Sequence, residues 1–500
     1  MTSLGPIFAD DLARVKPGDR LRLTISAQTS DAAALAQAAL EARARGERVL
    51  VVCADPADVP RLAQEMPWFE PNLDVRPLPD WETLPYDVLS PQEELVSERL
   101  EALYRLTAPT GGADVLLTSA VTASQRLSPV SYIGANTFFF HQGEQISLTT
   151  LQKRLAAAGY TNVKQVLAAG EFAVRGSIVD VFPMGSERPF RLDFFDDEIE
   201  SIRWFDVDTQ RSMESAEEIR LLPGHEFPVD PEALLAFRQR WRREFAGDPK
   251  KSIVYCDIEK EILPPGIEYY LPLFFDETAA LTDYLPPNAR VFLLGDIEAA
   301  LQAFGRDMAS RYKVLAADPQ RPALAPERIW LKPEEFFKSL ANFARFTVEK
   351  KENAEDLKRL SGIEVDRKSQ NPVGKLLERT RESAMKEVRT LIAAPSAGRM
   401  ETMSQLLRTG GLSVEEFPDW QTFLEADSPL GIAAAPLFSG AVFHHPEIVI
   451  LSEAELYAAS PRRHRLRRVK HATTLEMMVR DVAELKPGDA VVHADRKSVV

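Results

Sequence analysis

Residues 20–25 and 48–53 are short apolar runs on either side of the alanine-rich segment 31–45, whose spacing is helical. Strand, helix and strand in that order make a β-α-β unit, and such units build parallel sheets. Residues 114–118 supply a further buried strand. A helix is expected to begin near Ser90 or Pro91, with Glu93 and Glu94 at its positive end. Residues 1–137 therefore read as the first part of a parallel α/β domain. In such domains the loop after the first strand is where a nucleotide phosphate binds. Here it reads SAQTSDAA, with no glycine to let the backbone approach a phosphate and no lysine to neutralise one. Gly374-Lys375 is followed by Leu376 and has no earlier glycine at the required spacing, so it fails as a phosphate loop too. No cofactor site is expected in this chain.

From about residue 138 the pattern changes to short strands punctuated by Pro183, Gly185 and Pro189, which predicts a small α+β module inserted into the first domain. Within it residues 190–195 alternate: Phe190, Leu192 and Phe194 face one way, Arg191, Asp193 and Phe195 the other. Asp196-Asp197-Glu198 predicts a hairpin turn. An aromatic and an arginine on one outward face suit a protein interface, although a half-covered strand in a larger sheet would read the same. Residues 222–349, with a strand at 290–294 and a helix at 231–245, are expected to complete the first sheet. The charged, weakly periodic stretch 350–371 reads as an exposed linker or helix start. A second α/β unit follows, with strands at 390–394 and 447–451 and a helix at 397–408.

Five hundred residues suggest three or four domains, and the formal net charge of -15 disfavours non-specific binding to nucleic acid. One stretch runs against that charge: 461–470, PRRHRLRRVK, either a solvated linker or a contact for phosphate or an acidic protein. No run is long and apolar enough to span a membrane, and the first 20 residues lack the pattern of a signal peptide, so a cytoplasmic protein is expected. Cys53 and Cys256 read as buried free thiols. His444 and His445, adjacent in an extended segment, face opposite ways and have no evident partner ligands, so no metal site is expected. No nucleophile elbow or catalytic triad stands out.

DWETLPYD (80–87), GEFAVRGSIVDVFPMG (170–185), RLDFFDDEIESIRWFDVDTQRS (191–212), LPGHEFP (222–228) and LPPGIEYYLPLFF (263–275) resemble the amino-terminal part of the bacterial transcription-repair-coupling factors, densely over 1–345 and loosely beyond. The excision-repair helicase subunit UvrB is the nearest family by likeness. The resemblance implies that the first domain is a degenerate, RecA-like nucleotide-binding fold that has lost its site, where UvrB would keep a phosphate loop. It implies that the inserted module docks onto UvrA, the damage-recognition ATPase, when repair is recruited to a stalled RNA polymerase. Matched motif by motif, the family's interface residues fall at Arg175 in FAVRG, Arg191 in FRLDFF, and Phe195. Arg175 could instead pair within the chain, with Asp180 or Asp193. LKPGDAVVHAD (485–495) resembles the opening strand of the β-barrel that binds the RNA polymerase β subunit.

The expected organisation is the α/β domain at 1–137 and 222–349, the inserted UvrA-binding domain at 138–221, a linker at 350–384, a second α/β domain at 385–458, a basic linker at 459–480 and an incomplete barrel start at 481–500. On this resemblance the chain is not itself an enzyme. ATP, Mg²⁺ and most DNA contact belong to motor domains beyond it, and the competing reading is a UvrB-like helicase that binds DNA and ATP.

Overall fold

The computed structural model describes residues 9–26, 30–108, 112–351, 353–366 and 368–457. A six-stranded sheet runs in the order Arg20–Ser26, Ala344–Lys351, Arg290–Leu294, Val49–Cys53, Val115–Ser119, Val75–Pro77, and every pair in it is parallel. The two strands from beyond residue 222 lie between the first two strands of the chain, so this segment completes the sheet as expected. Val49–Cys53, Val115–Ser119 and Arg290–Leu294 are buried at every position. Helices cover both faces of such a sheet, so its central strands are apolar throughout. On one face lies the helix Ser30–Ala44, whose many buried alanines bring it close to the strands.

The inserted module is a second six-stranded sheet, in the order Ser212–Ala216, Glu198–Phe205, Phe190–Phe195, Ile178–Val181, Glu171–Arg175, Thr161–Asn162, antiparallel except for the last pair. Phe138–His141 pairs with Glu218–Leu221 to form its neck. Asp196 and Asp197 make the expected hairpin turn, with Asp196 in the left-handed region at φ 51°. Phe190, Leu192 and Phe194 point inward with Val179 and Ile202, into a core that also holds Leu100, Leu103 and Leu116 of the first domain. The module is therefore rooted in the first domain by a continuous core.

A five-stranded sheet follows, in the order Glu415–Phe417, Leu430–Ala434, Arg389–Ala394, Glu447–Ser452, Ala441–His444, with only the last pair antiparallel. Residues 350–384, expected as a linker, instead carry the helices Ala354–Leu360 and Gly374–Met385, whose Leu360 and Leu376 are buried in the core of this sheet together with Ile363. Their charged faces hid the few apolar contacts that anchor them. On its other side the sheet meets the first domain. Trp420 lies 5.5 Å from both Trp68 and Phe69, and Phe423 and Phe443 join the same core as Leu62 and Met66.

Cys53 is buried as expected, but Cys256 is only partly so. It sits on the short helix Ile253–Glu259 at the surface, and its thiol donates to the Lys250 carbonyl at 3.3 Å. The segments 459–480 and 481–500 and the basic stretch within them lie outside the described residues. No described helix is long and apolar enough to cross a membrane.

Under the WETLPYD loop, Trp81, Tyr269 and Trp330 form a separate aromatic core. Glu268 is buried beside it and takes a hydrogen bond from Ser90 Oγ at 2.9 Å. Burial pushes its carboxyl up to about 7. A carboxyl raised in the folded state favours folding when protonated, so its contribution is complete below about 4.5 and is lost as pH rises through 7. Glu268→Gln should flatten the stability profile over that window and leave the variant more stable than the wild type at pH 8, by on the order of 3 kcal/mol. Urea unfolding at a series of pH values measures this.

Candidate functional site

The outer face of the inserted sheet is built by strand register. Ala173 lies opposite Asp180, Asp180 opposite Arg191, and Arg191 opposite Arg203, so all four side chains share one face. Two residues along each strand, Arg175, Ile178 and Asp193 form the next row. Phe195 ends its strand at the same edge, just before the hairpin turn.

Asp180 is fully buried at the centre of this face. Its Oδ1 accepts from Arg191 Nε at 2.6 Å, and its Oδ2 accepts from Arg191 Nη2 at 2.9 Å and from Arg175 Nη2. A guanidinium fork matches a carboxylate edge to edge, which fixes the plane of Arg191. Arg191 Nη1 donates onward to the Gln210 carbonyl and Ser212 Oγ, each at 3.2 Å, and the guanidinium lies 4.9 Å from the Phe205 ring centre. The hydrogen bonds that Arg191 donates to Asp180 hold its pKa above the ordinary value against the opposing effect of burial.

The three expected site residues are thus brought to one face but differ in access. The Arg191 side chain is 15 % exposed and its donors are engaged within the chain. Arg175 has the intramolecular partner Asp180, yet 49 % of its side chain remains open. Phe195 is 69 % exposed, the most open aromatic among the described residues. Gly176, between Arg175 and the next strand, has φ 63° and open space where a Cβ would stand. Arg191 thus lies on the expected face, with its donors held within the chain. It braces the face, while Arg175 and Phe195 present it.

A second cluster stands where a nucleotide phosphate would sit, at the start of the helix Ser30–Ala44. Asp31 is fully buried in its first turn. Its carboxylate contacts Arg61 Nη2 at 2.5 Å and Lys350 Nζ at 2.8 Å, and its Oδ1 accepts from the Ala32 amide at 2.7 Å. Burial raises the Asp31 pKa, and the charges and hydrogen bonds of Arg61 and Lys350 more than reverse this, leaving it below the ordinary value. Arg61 also contacts Asp58 at 2.8 Å and Glu65 at 2.6 Å. A helix N-terminus attracts an anion, and here the chain supplies its own. Among the described residues Arg61 is engaged by three carboxylates and Lys350 by two, Asp31 and Asp58. Glu65 Oε1 accepts from the Phe438 amide at 3.0 Å, tying this cluster to the second α/β domain. Burial pushes the Glu65 carboxyl up to about 6. Sequence spacing gave no sign of the cluster, because its members come from three separate segments. Among the described residues no group of three or more His, Cys, Asp or Glu could hold a metal ion.

Residues 138–227 match the family described as UvrB interaction domain, and residues 384–456 match the MFD, D3 domain. The chain is 36% identical over 457 residues to the transcription-repair-coupling factor of Escherichia coli, covering 89% of this chain and 39% of that protein. Its counterpart in Haemophilus influenzae is also 36% identical, over 463 residues and the same shares. That of Bacillus subtilis is 32% identical over 216 residues, 40% of this chain and 18% of the relative. The chain thus spans about two fifths of the length of the first two relatives. With both domain matches, the chain is similar to the amino-terminal part of the transcription-repair-coupling factors.

Proposed function

We propose that this chain recruits UvrA to RNA polymerase stalled at DNA lesions, in transcription-coupled nucleotide excision repair in the cytoplasm. The observation that carries the reading is the outer face of the UvrB-interaction domain, where exposed Phe195 stands at one edge with half-open Arg175. Phe195 fills an apolar pocket on the partner and Arg175 meets a carboxylate, the pairing of aromatic and arginine anchors on which interface affinity concentrates. Arg191 and Asp180 hold that face in shape. The RNA polymerase β subunit is engaged through the domain whose opening sequence 485–495 resembles, and DNA through motor domains of the longer relatives, where ATP and Mg²⁺ act.

The first domain is then a RecA-like sheet without a nucleotide, its phosphate position filled by Asp31. This favours a recruiting role over a UvrB-like helicase. Isothermal titration with MgATP should give no saturable heat, and a micromolar site would support the helicase reading instead. Purified UvrA and the chain should co-elute in gel filtration without nucleotide. Separate elution at micromolar concentrations of both would count against the proposal.

A further inference from the structure

We propose a second protein-docking surface, remote in sequence from the inserted sheet and formed by the loop 82–90 with the turn 261–266, that takes an apolar protein segment carrying lysine or arginine. Leu84, Val88, Leu89 and Ile262 are each between 47 and 53 % exposed. The two segments that carry them are in contact. Ser90 Oγ accepts from the Gly266 amide at 3.0 Å, Tyr269 donates to the Leu84 carbonyl at 2.9 Å, and a Cβ on Gly266 would lie 2.5 Å from the Asp87 carbonyl. Several large apolar side chains in neighbouring loops form a patch of the kind that marks an interaction site.

The patch is held rigid from below. Trp81 is buried and donates to Glu226 at 3.0 Å, and the Tyr86 hydroxyl donates to the Leu324 carbonyl at 2.8 Å. The buried Trp81 and the partly buried Tyr86 anchor the loop, and the intervening Leu84 and the following Val88 and Leu89 are exposed. Six described non-glycine residues have left-handed backbone, and three of them, Glu82, Tyr86 and Glu261, lie in these two segments. Such conformations persist only where surrounding contacts impose them. A surface fixed in this way loses little freedom when a partner binds.

Charge selects the occupant. Segments 80–94 and 257–268 carry nine carboxylates and one lysine. Of these Asp80, Glu82, Glu93, Glu259 and Glu261 are exposed. Lys260 lies 4.0 Å from Asp257, and Arg321 at the rim donates to the Pro265 carbonyl at 2.9 Å. An acidic rim around apolar side chains repels a nucleic-acid backbone and attracts a cationic, apolar protein segment.

The test uses the intact chain and a fluorescent amphipathic helical peptide of leucine and lysine, with a leucine-glutamate peptide of the same pattern and a serine-lysine peptide as comparators. Fluorescence anisotropy should show the leucine-lysine peptide binding most tightly. Leu84→Ser, Val88→Ser and Leu89→Ser together should weaken it by about tenfold or more, while leaving the serine-lysine peptide unchanged. Ile262→Ser, on the other segment, should weaken it as well, and Phe195→Ala should not. Unchanged affinity in both the triple variant and Ile262→Ser, or equal binding of the leucine-glutamate peptide, would overturn the proposal.

Discussion

Arg175→Ala combined with Phe195→Ala should lower the affinity of the chain for UvrA by a hundredfold or more, with the fold intact. On the proposed docking each is an interface anchor whose truncation costs about 2 kcal/mol or more, and together that is roughly three orders of magnitude in Kd. Both side chains are open enough for their loss to leave no cavity. Arg191→Ala is a poorer probe of contact. It would strip the fully buried Asp180 carboxylate of its bidentate partner, so lost binding would report a distorted sheet. Arg191→Ala should therefore also lower stability, by about 3 kcal/mol or more, whereas the Arg175 and Phe195 pair should cost less, because Arg191 still bonds both oxygens of Asp180 when Arg175 is gone. Titration calorimetry and urea unfolding on the same variants separate the two roles.

Asp31→Ala carries the largest expected effect on stability, a loss of about 3–5 kcal/mol, because it removes the fully buried carboxylate between Arg61 and Lys350 and leaves only the less buried Asp58 touching both. The pKa of Asp31 is held down, so its contribution is present at neutral pH and is lost only as pH falls through its folded-state value. Inorganic phosphate should restore part of the lost stability in Asp31→Ala, since an anion can re-enter the place the carboxylate leaves, and should do nothing for the wild type. A variant as stable as the wild type would show that the cluster does not hold the helix. The same loss should loosen the second α/β domain, because Arg61 positions Glu65, which receives the Phe438 amide. Limited proteolysis should cut Asp31→Ala faster between residues 350 and 390.

Much of this was legible from local pattern. Alternation over 190–195 set which side chains face out, because a strand's period of two leaves no other choice. The loop SAQTSDAA lacks the glycine and lysine of a phosphate loop. The cluster around Asp31 was not legible. Asp31, Arg61 and Lys350 meet only when the strand Ala344–Lys351 enters the sheet beside Arg20–Ser26, and nothing local records that neighbour. The strand IVDV reads as an apolar run interrupted by one acid, and only its pairing with Glu171–Arg175 on one side and Phe190–Phe195 on the other shows that acid to be the hub of two arginines. Residues 350–384 misled because helices that bury one narrow stripe, here Leu360 and Leu376, are otherwise all charge.

The central claim is that UvrA docks on the outer face of the inserted sheet. Hydrogen–deuterium exchange of the intact chain with and without UvrA tests it most directly. Protection should appear over Glu171–Arg175 and Phe190–Phe195 and the turns beside them, and be absent from the first domain's parallel sheet. Protection confined to the first or second α/β domain, with these strands unchanged, would contradict it.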